Sequence, residues 1–218
     1  MNQSEKESII KRYSDRIEQF GDSPLTLGWT KGKHILRYHI LLNHWRFNGD
    51  TLLDFGCGFG DMYDYIQVLG LNLVYHGYDI NPDLIAMGKQ KYPDIHLYAK
   101  DILSLAVPEV FDYAVSSGVH NLKLEDNWGF IEKTFRFFAC YCRKGFAVNF
   151  ISNKVDIVDG HLYHADPAKI LDLAYSYSKK VVLRNDYMPF EFTIIVDLQN
   201  EFDKDSVVYP EYLMYIRS

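Results

Sequence analysis

Ile9, Tyr13, Ile17 and Phe20 recur at helical spacing near the start of the chain, after Ser4-x-x-Glu7, which has the form of a capping box. The run stops at Gly21, so the pattern predicts an amphipathic opening helix. Ile35, Tyr38, Leu42 and Trp45 repeat the spacing over 33–46 and predict a second helix lying against the domain. From Thr51 onward the pattern changes. TLLDFG predicts a strand, DMYDYIQVL a helix ended by Gly70, and VYHGYDI a second strand. Asn81-Pro82 supplies the N-cap and first turn of a helix that runs to Tyr92-Pro93, and IHLYAKD follows as a third strand. FDYAVSSGV predicts the fourth. Ile131, Phe135, Phe138 and Cys142 mark a helix that Gly145 can cap, and GFAVNFIS predicts a fifth strand. Asp166-Pro167 opens another helix. VVLRND and EFTIIVDL close the series, joined by a connection too short for a crossover helix, so these two should pair antiparallel.

Strands alternating with helices predict an α/β fold: a doubly wound, mostly parallel sheet of seven strands with an antiparallel terminal strand, helices on both faces and an N-terminal helical extension. One domain is expected over 1–218, with a helical cap over 1–48, the sheet core over 49–200 and a C-terminal tail over 201–218. Such sheets bind ligands at the carboxyl ends of their strands, which directs attention to the residues just after each strand.

The first strand ends in Asp54-Phe55-Gly56-Cys57-Gly58-Phe59-Gly60, with Asp61 opening the next helix. Glycines there permit positive φ and close approach of a ligand to the backbone. Asp54 and Asp61 would repel a pyrophosphate, which G-x-G-x-x-G sites hold at a helix N-terminus, so the charge pattern disfavours a dinucleotide. The second strand ends in Gly77-Tyr78-Asp79-Ile80-Asn81, and Asp79 lies roughly 20 residues past the glycine turn, where a carboxylate can accept ribose hydroxyls.

This series resembles motif I and the following elements of class I S-adenosylmethionine-dependent methyltransferases, whose core is a Rossmann-like seven-stranded sheet. The resemblance covers roughly residues 50 to 200 and rests on the order of features. It implies S-adenosylmethionine as cofactor and S-adenosylhomocysteine as product. It places Asp54, Gly56, Gly58 and Gly60 around the cofactor, Asp79 and Ile80 at the ribose, and Asp101 and Ile102, after the third strand, at the adenine. Ser117, after the fourth strand, falls where that family lines the methyl-transfer region. Trp29 can offer an aromatic face to a sulfonium and Arg37 can pair with the methionine carboxylate; the competing reading makes Trp29 a core anchor.

Methyl transfer has a good leaving group, so orientation and exclusion of water can supply most of the catalysis. Where a hydroxyl acceptor needs a base, His120, His161 and His164 each follow a predicted strand on the ligand side, and His120, next to the small-residue turn 116–119, is the catalytic candidate. The connection 153–166, which carries the other two, is expected to be a mobile cover. His161-x-x-His164 is too sparse for a metal site, and none is assigned.

Composition narrows the acceptor. A net charge of -6 has the wrong sign for a protein that neutralises many phosphates, so no nucleic-acid partner is expected, although a local basic patch around Lys31, Lys33, Arg37 and Arg46 stays open. The chain lacks the D/N-P-P-Y/F element of amino-group methylases and a Pro-Cys nucleophile for cytosine carbon. A small-molecule acceptor methylated on oxygen or nitrogen is the residual expectation. Cys57, Cys140 and Cys142 form no disulfide framework, and no apolar run approaches a membrane span, which together predict a cytoplasmic protein without a membrane partner. The alternatives are a noncatalytic S-adenosylmethionine-binding partner subunit, an NAD-dependent oxidoreductase and an RNA methylase.

Overall fold

A computed structural model describes residues 1–29, 32–105 and 109–216. Helix α1, Gln3–Phe20, is capped two residues earlier than the sequence suggests: Asn2 Oδ1 accepts from the Glu5 backbone N–H at 2.9 Å, and Glu5 returns the bond to the Asn2 N–H at 2.7 Å. Asn caps as well as Ser, and here it takes the role expected of Ser4. No residue of α1 is fully buried. The helix is tied down instead by polar contacts, Asn81 Nδ2 to the Ile10 carbonyl at 3.0 Å, Ser14 Oγ to Asp83 at 2.6 Å and Lys6 to Asp101 at 2.6 Å.

Helix α2, Lys33–Leu42, is shorter than 33–46 because Trp45 leaves the helix to pack on the Tyr113 ring and donate to Asp197. Strand β1, Asp50–Phe55, then begins the sheet. It is followed by α3, Met62–Val68; β2, Leu73–Asp79; α4, Pro82–Lys91; β3, His96–Ala99; and β4, Phe111–Ser116. After these come α5, Asn127–Tyr141; β5, Cys142–Ile151; α6, Pro167–Tyr175; β6, Lys180–Arg184; and β7, Glu191–Asp197.

The seven strands lie in the order β3-β2-β1-β4-β5-β7-β6. The pairs among β1 to β5 are parallel, and β7 runs antiparallel to both β5 and β6. The doubly wound sheet with its antiparallel terminal strand is therefore the fold the alternation implied. Neighbouring residues of β1 serve opposite faces, as a period of two requires: Leu53 joins Phe135, Phe138 and Phe146 on one side, and Leu52 joins Leu41, Ile66 and Tyr113 on the other. Strand order reverses between β1 and β4, which opens the crevice where such sheets hold ligands.

Gly145 does not cap α5. The helix passes directly into β5 at Cys142, and Gly145 lies inside the strand, where an added Cβ would stand 2.7 Å from the Val196 carbonyl oxygen and 3.0 Å from the Trp45 ring. Close packing, not turn geometry, explains that glycine. Beyond β7 the described residues run through irregular structure to a short 3-10 helix, Pro210–Tyr215. Among the described residues no helix is long and apolar enough to cross a membrane.

Candidate functional site

A cavity of about 490 Å³ lies over the carboxyl ends of β1, β2 and β4, within the range of ~300–1,000 Å³ common for small-molecule sites. Its floor is the turn from Asp54 to Gly58. Ile9 and Tyr13 of α1, with the segment Leu27 to Trp29, close it from above.

Gly56, Gly58 and Gly60 have φ of 75°, 58° and 84°, in the left-handed region that only glycine enters cheaply. The protein itself also demands them. A Cβ on Gly56 would stand 2.2 Å from Val119 Cγ2, and one on Gly58 2.9 Å from Leu27. The turn after β1 is thus interlocked with the turn after β4. Gly60 packs on Ile95 and Leu97 and is not part of the cavity wall.

The acids predicted at the strand ends line this cavity together. Asp54 is 3% exposed and accepts the Tyr75 hydroxyl at 2.7 Å. Burial pushes it up to about 7; the Tyr75 bond opposes the rise, and the charges of Asp79 and Asp61 add to it. Asp79 accepts the Gly58 N–H at 3.0 Å through one oxygen and the Asn81 N–H at 2.8 Å through the other. Burial raises its carboxyl too, against those backbone donors. Neither carboxylate has a cationic partner among the described residues. The result is a buried acidic well that a positively charged ligand would relieve.

Asp101 differs. Burial would raise it, but Lys6, Ser104 and the Leu103 N–H outweigh burial and hold it below the usual carboxylate range. It caps the short 3-10 helix Ile102–Ser104, with Ile102 in the core and touching the cavity. Ile80 also lines the wall.

The opposite end of the cavity contains a circuit that the sequence did not reveal. The Gly118 N–H donates to Asn149 Oδ1 at 2.7 Å, and Asn149 Nδ2 donates to Glu191 at 3.1 Å. Glu191 takes a two-pronged bond from Arg37, Nε at 2.6 Å and Nη2 to its other oxygen. The Arg37 guanidinium lies 4.0 Å over the Trp29 ring, and the Trp29 edge returns to Gly118, where an added Cβ would stand 2.8 Å from it. Arg37 is 6% exposed, and burial lowers it to about 10.

Two expectations are corrected by this arrangement. Arg37 is committed to Glu191, so its charge is already matched and is not free for a methionine carboxylate. His120 does not face the cavity: it is 1% exposed, its ring stacks on Phe150 and leans on Phe130, and neither ring nitrogen has a hydrogen-bond partner among the described residues. Burial depresses it to about 3, which keeps it neutral. The chain forms a 3-10 helix over Val119–Asn121, and at three residues per turn Val119 and Asn121 take the cavity side while His120 turns inward.

Among the described residues no histidine lines the cavity. His161 is exposed, and His164 bonds the Ser152 carbonyl at 3.0 Å. The connection 153–166 is pinned beside the site, with Leu122 bridged to Leu162 and the Tyr163 N–H bonded to the Asn121 carbonyl at 3.0 Å. The basic patch is dispersed: Arg37 is buried in its pair, Lys33 lies over the Phe190 ring, and Lys31 falls outside the described residues. Glu191 carried a signal, since an acid opening the mainly apolar strand EFTIIVD requires a buried partner. Asn149 and Asn121 carried none.

Comparison with known proteins gives consistent matches. A family described as a methyltransferase domain matches residues 52–139. Rv1506c of Mycobacterium tuberculosis, a protein named as a methyltransferase, is 33% identical over 153 residues, which cover 67% of this chain and 92% of that protein. Two solved structures are similar in fold. Magnesium protoporphyrin IX methyltransferase from Synechocystis PCC 6803 with bound S-adenosylhomocysteine has a TM-score of 0.63 at 12% identity, covering 88% of this chain and 98% of that one. The 1,6-didemethyltoxoflavin-N1-methyltransferase of Burkholderia thailandensis has a TM-score of 0.59 at 15% identity, covering 92% of each.

Proposed function

The chain belongs to the class I S-adenosylmethionine-dependent methyltransferases, and on that premise we propose that its acceptor is a small molecule methylated on oxygen or nitrogen. The observation that carries this reading is the shape of the cavity's far end. Past the strand ends it continues as a concave space walled by the apolar Trp29, Leu122, Ile151, Leu162 and Phe190, with the polar Lys33, Arg37, Asn121 and Asp159 among them. Such a space suits a compact molecule rather than a polymer strand, and the net charge of -6 gives no help to nucleic acid. The names of two fold relatives specify small molecules, magnesium protoporphyrin IX and 1,6-didemethyltoxoflavin, which supports the same class.

The acidic well fits the cofactor, whose ammonium and sulfonium are both positive. In this reading Asp54 faces the ammonium, Asp79 accepts the ribose hydroxyls beside Ile80, and Asp101 and Ile102 border the adenine. Gly56 and Gly58 keep the floor open, while Trp29 and Ser117 border the reacting end. Bound there, S-adenosylmethionine supplies an electrophilic methyl carbon on a good leaving group. The chain's own residues orient the partners and exclude water, since among the described residues no histidine lines the cavity to act as a base. Cys57, Cys140 and Cys142 are free thiols, which supports the reducing cytoplasm as the place of action.

Incubation with methyl-labelled S-adenosylmethionine and a library of phenols, carboxylic acids, amines and heteroaromatic N–H compounds tests the acceptor class. Label is expected in one or more library members. Label in RNA or protein, and in no small molecule, would contradict the reading.

A further inference from the structure

Helix α1 carries an apolar stripe that does not rest on the core. Among the described residues, none of Ile9, Ile10, Tyr13, Ile17 and Phe20 belongs to or packs against either cluster of core side chains, and Ile9 and Tyr13 line the cavity instead. What ties the helix to the domain is polar. Toward its start the Glu125 N–H, just ahead of α5, donates to Glu5 at 2.7 Å, and Lys6 reaches Asp101 at 2.6 Å. Farther along, Ser14 bonds Asp83 at 2.6 Å and the Ile10 carbonyl accepts from Asn81 at 3.0 Å, both at the start of α4. The helix therefore crosses the cavity as a bar held by bonds that water can replace, and partly exposed links of that kind contribute little to stability.

The segment after α1 is fastened to the helix. Arg16 donates from Nε to the Thr26 carbonyl at 2.7 Å and from Nη2 to the Leu25 carbonyl, and buried Thr26 places its hydroxyl on the Gly21 carbonyl at 2.7 Å. The Trp29 N–H closes the turn on the Pro24 carbonyl at 2.8 Å. Helix and turn thus form one body. Across the cavity it sets Tyr13, whose phenol is raised by burial and by the charge of Asp79, then Leu27 against Gly58 and Trp29 against Gly118. Asp54, on the floor beneath, is buried.

Resting on the reading that this cavity holds S-adenosylmethionine, we propose that residues 1–29 are a strap that lifts off the domain to admit the cofactor and packs down on it. The cofactor gives Ile9 and Tyr13 the packing partner that the core denies them. Two consequences distinguish a strap from a fixed wall. Without ligand, α1 opens far more readily than the sheet, because few buried apolar contacts oppose it and a detached helix of 18 residues is marginal in water. Entry and exit of the cofactor both wait on that opening.

Two measurements on the full chain test the strap. By hydrogen exchange, the amides from Ile9 to Phe20 should exchange at least about a hundredfold faster than those of β1 and β4, and slow at least about tenfold in saturating S-adenosylhomocysteine. The second measurement uses a staple. Ser14→Cys/Asp83→Cys, in a Cys140→Ser background that removes the exposed native thiol, puts a disulfide where the two side chains touch and pins the turn that carries Tyr13. In stopped-flow fluorescence the oxidised protein should take up and release S-adenosylhomocysteine at least about tenfold more slowly than the same protein after reduction. Equal rates in fully oxidised and reduced protein, or α1 amides as slow as those of the sheet and indifferent to ligand, would overturn the proposal. If the two thiols do not couple, the exchange result decides alone. Absence of S-adenosylhomocysteine binding by the unaltered chain in calorimetry would instead bring down the cofactor reading beneath it.

Discussion

The Tyr75 hydroxyl donates to Asp54 across 2.7 Å at the end of β1, and this single neutral donor is the only hydrogen-bond partner of that carboxylate's side chain among the described residues. One neutral bond does not offset burial beside two other acids, and the carboxyl titrates at about 7 instead of in the ordinary range. Cofactor affinity should therefore depend on pH. A ligand bringing a positive charge favours ionised Asp54, so below pH ~7 a proton must be removed on binding, at a cost of up to about 1.4 kcal/mol per pH unit. S-adenosylhomocysteine should bind up to about tenfold more weakly per unit from pH 7 to pH 6, and nearly evenly from pH 7.5 to 8.5. The same raised value has the opposite sign for stability. Folded Asp54 holds its proton more tightly than the unfolded chain does, so its penalty appears as pH rises from about 4 through about 7. Asp54→Asn should flatten the pH dependence of binding, weaken binding at pH 8 and raise the unfolding temperature there. Calorimetric titrations across this range, with thermal melts of both proteins, check the three outcomes together.

Gly56→Ala should be among the most damaging single-methyl changes in the chain. It forces an L-residue to φ 75°, costing ~1–2 kcal/mol, and drives a methyl to 2.2 Å from Val119 Cγ2, adding about 1–3 kcal/mol of overpacking. The double variant Gly56→Ala/Val119→Ala removes the clash but not the backbone strain, so part of the lost stability should return. Urea unfolding of the two variants separates the contributions. A double variant no more stable than the single one would show that Val119 is not the obstacle.

His120→Phe should fold at least as stably as the parent. The ring lies between Phe130 and Phe150, and removal of two unbonded nitrogens relieves a desolvation cost on the order of 1–3 kcal/mol each. Because burial depresses His120 to about 3, the unfolded chain binds its proton first, and stability is lost as pH falls below ~6.5. The phenylalanine variant should lose less stability between pH 6.5 and 4.5. Unfolding midpoints at those two pH values decide it, and a steeper acid loss in the variant would mean that His120 has a partner beyond its aromatic neighbours.

Much of this architecture was legible in the chain itself. The strand ends carrying Asp54 and Asp79 were readable because glycine spacing, apolar runs and acid placement are local features, and the parallel order follows from their alternation with helices. The orientation of His120 was not, because a 3-10 helix cannot be told from an open loop in Val119-His120-Asn121, and the difference turns the side chain from cavity to core. Gly145 read as a cap because its neighbours Val196 and Trp45 are distant in sequence. The pairing of Arg37 with Glu191 spans 154 positions and becomes visible only once α2 and β7 are brought together.

The most direct measurement of the central claim is a calorimetric titration of the chain at pH 8 with S-adenosylhomocysteine, run in parallel on Asp79→Asn. This substitution keeps an oxygen for the Gly58 or Asn81 N–H but removes the charge from the acid at the end of β2. The account predicts saturable binding to the parent and a loss of about tenfold or more in the variant, equivalent to the ~1.5–3 kcal/mol of hydrogen bonds to a charged acceptor. No heat and no thermal stabilisation of the parent at millimolar ligand, or equal affinity in a folded Asp79→Asn protein, would contradict it.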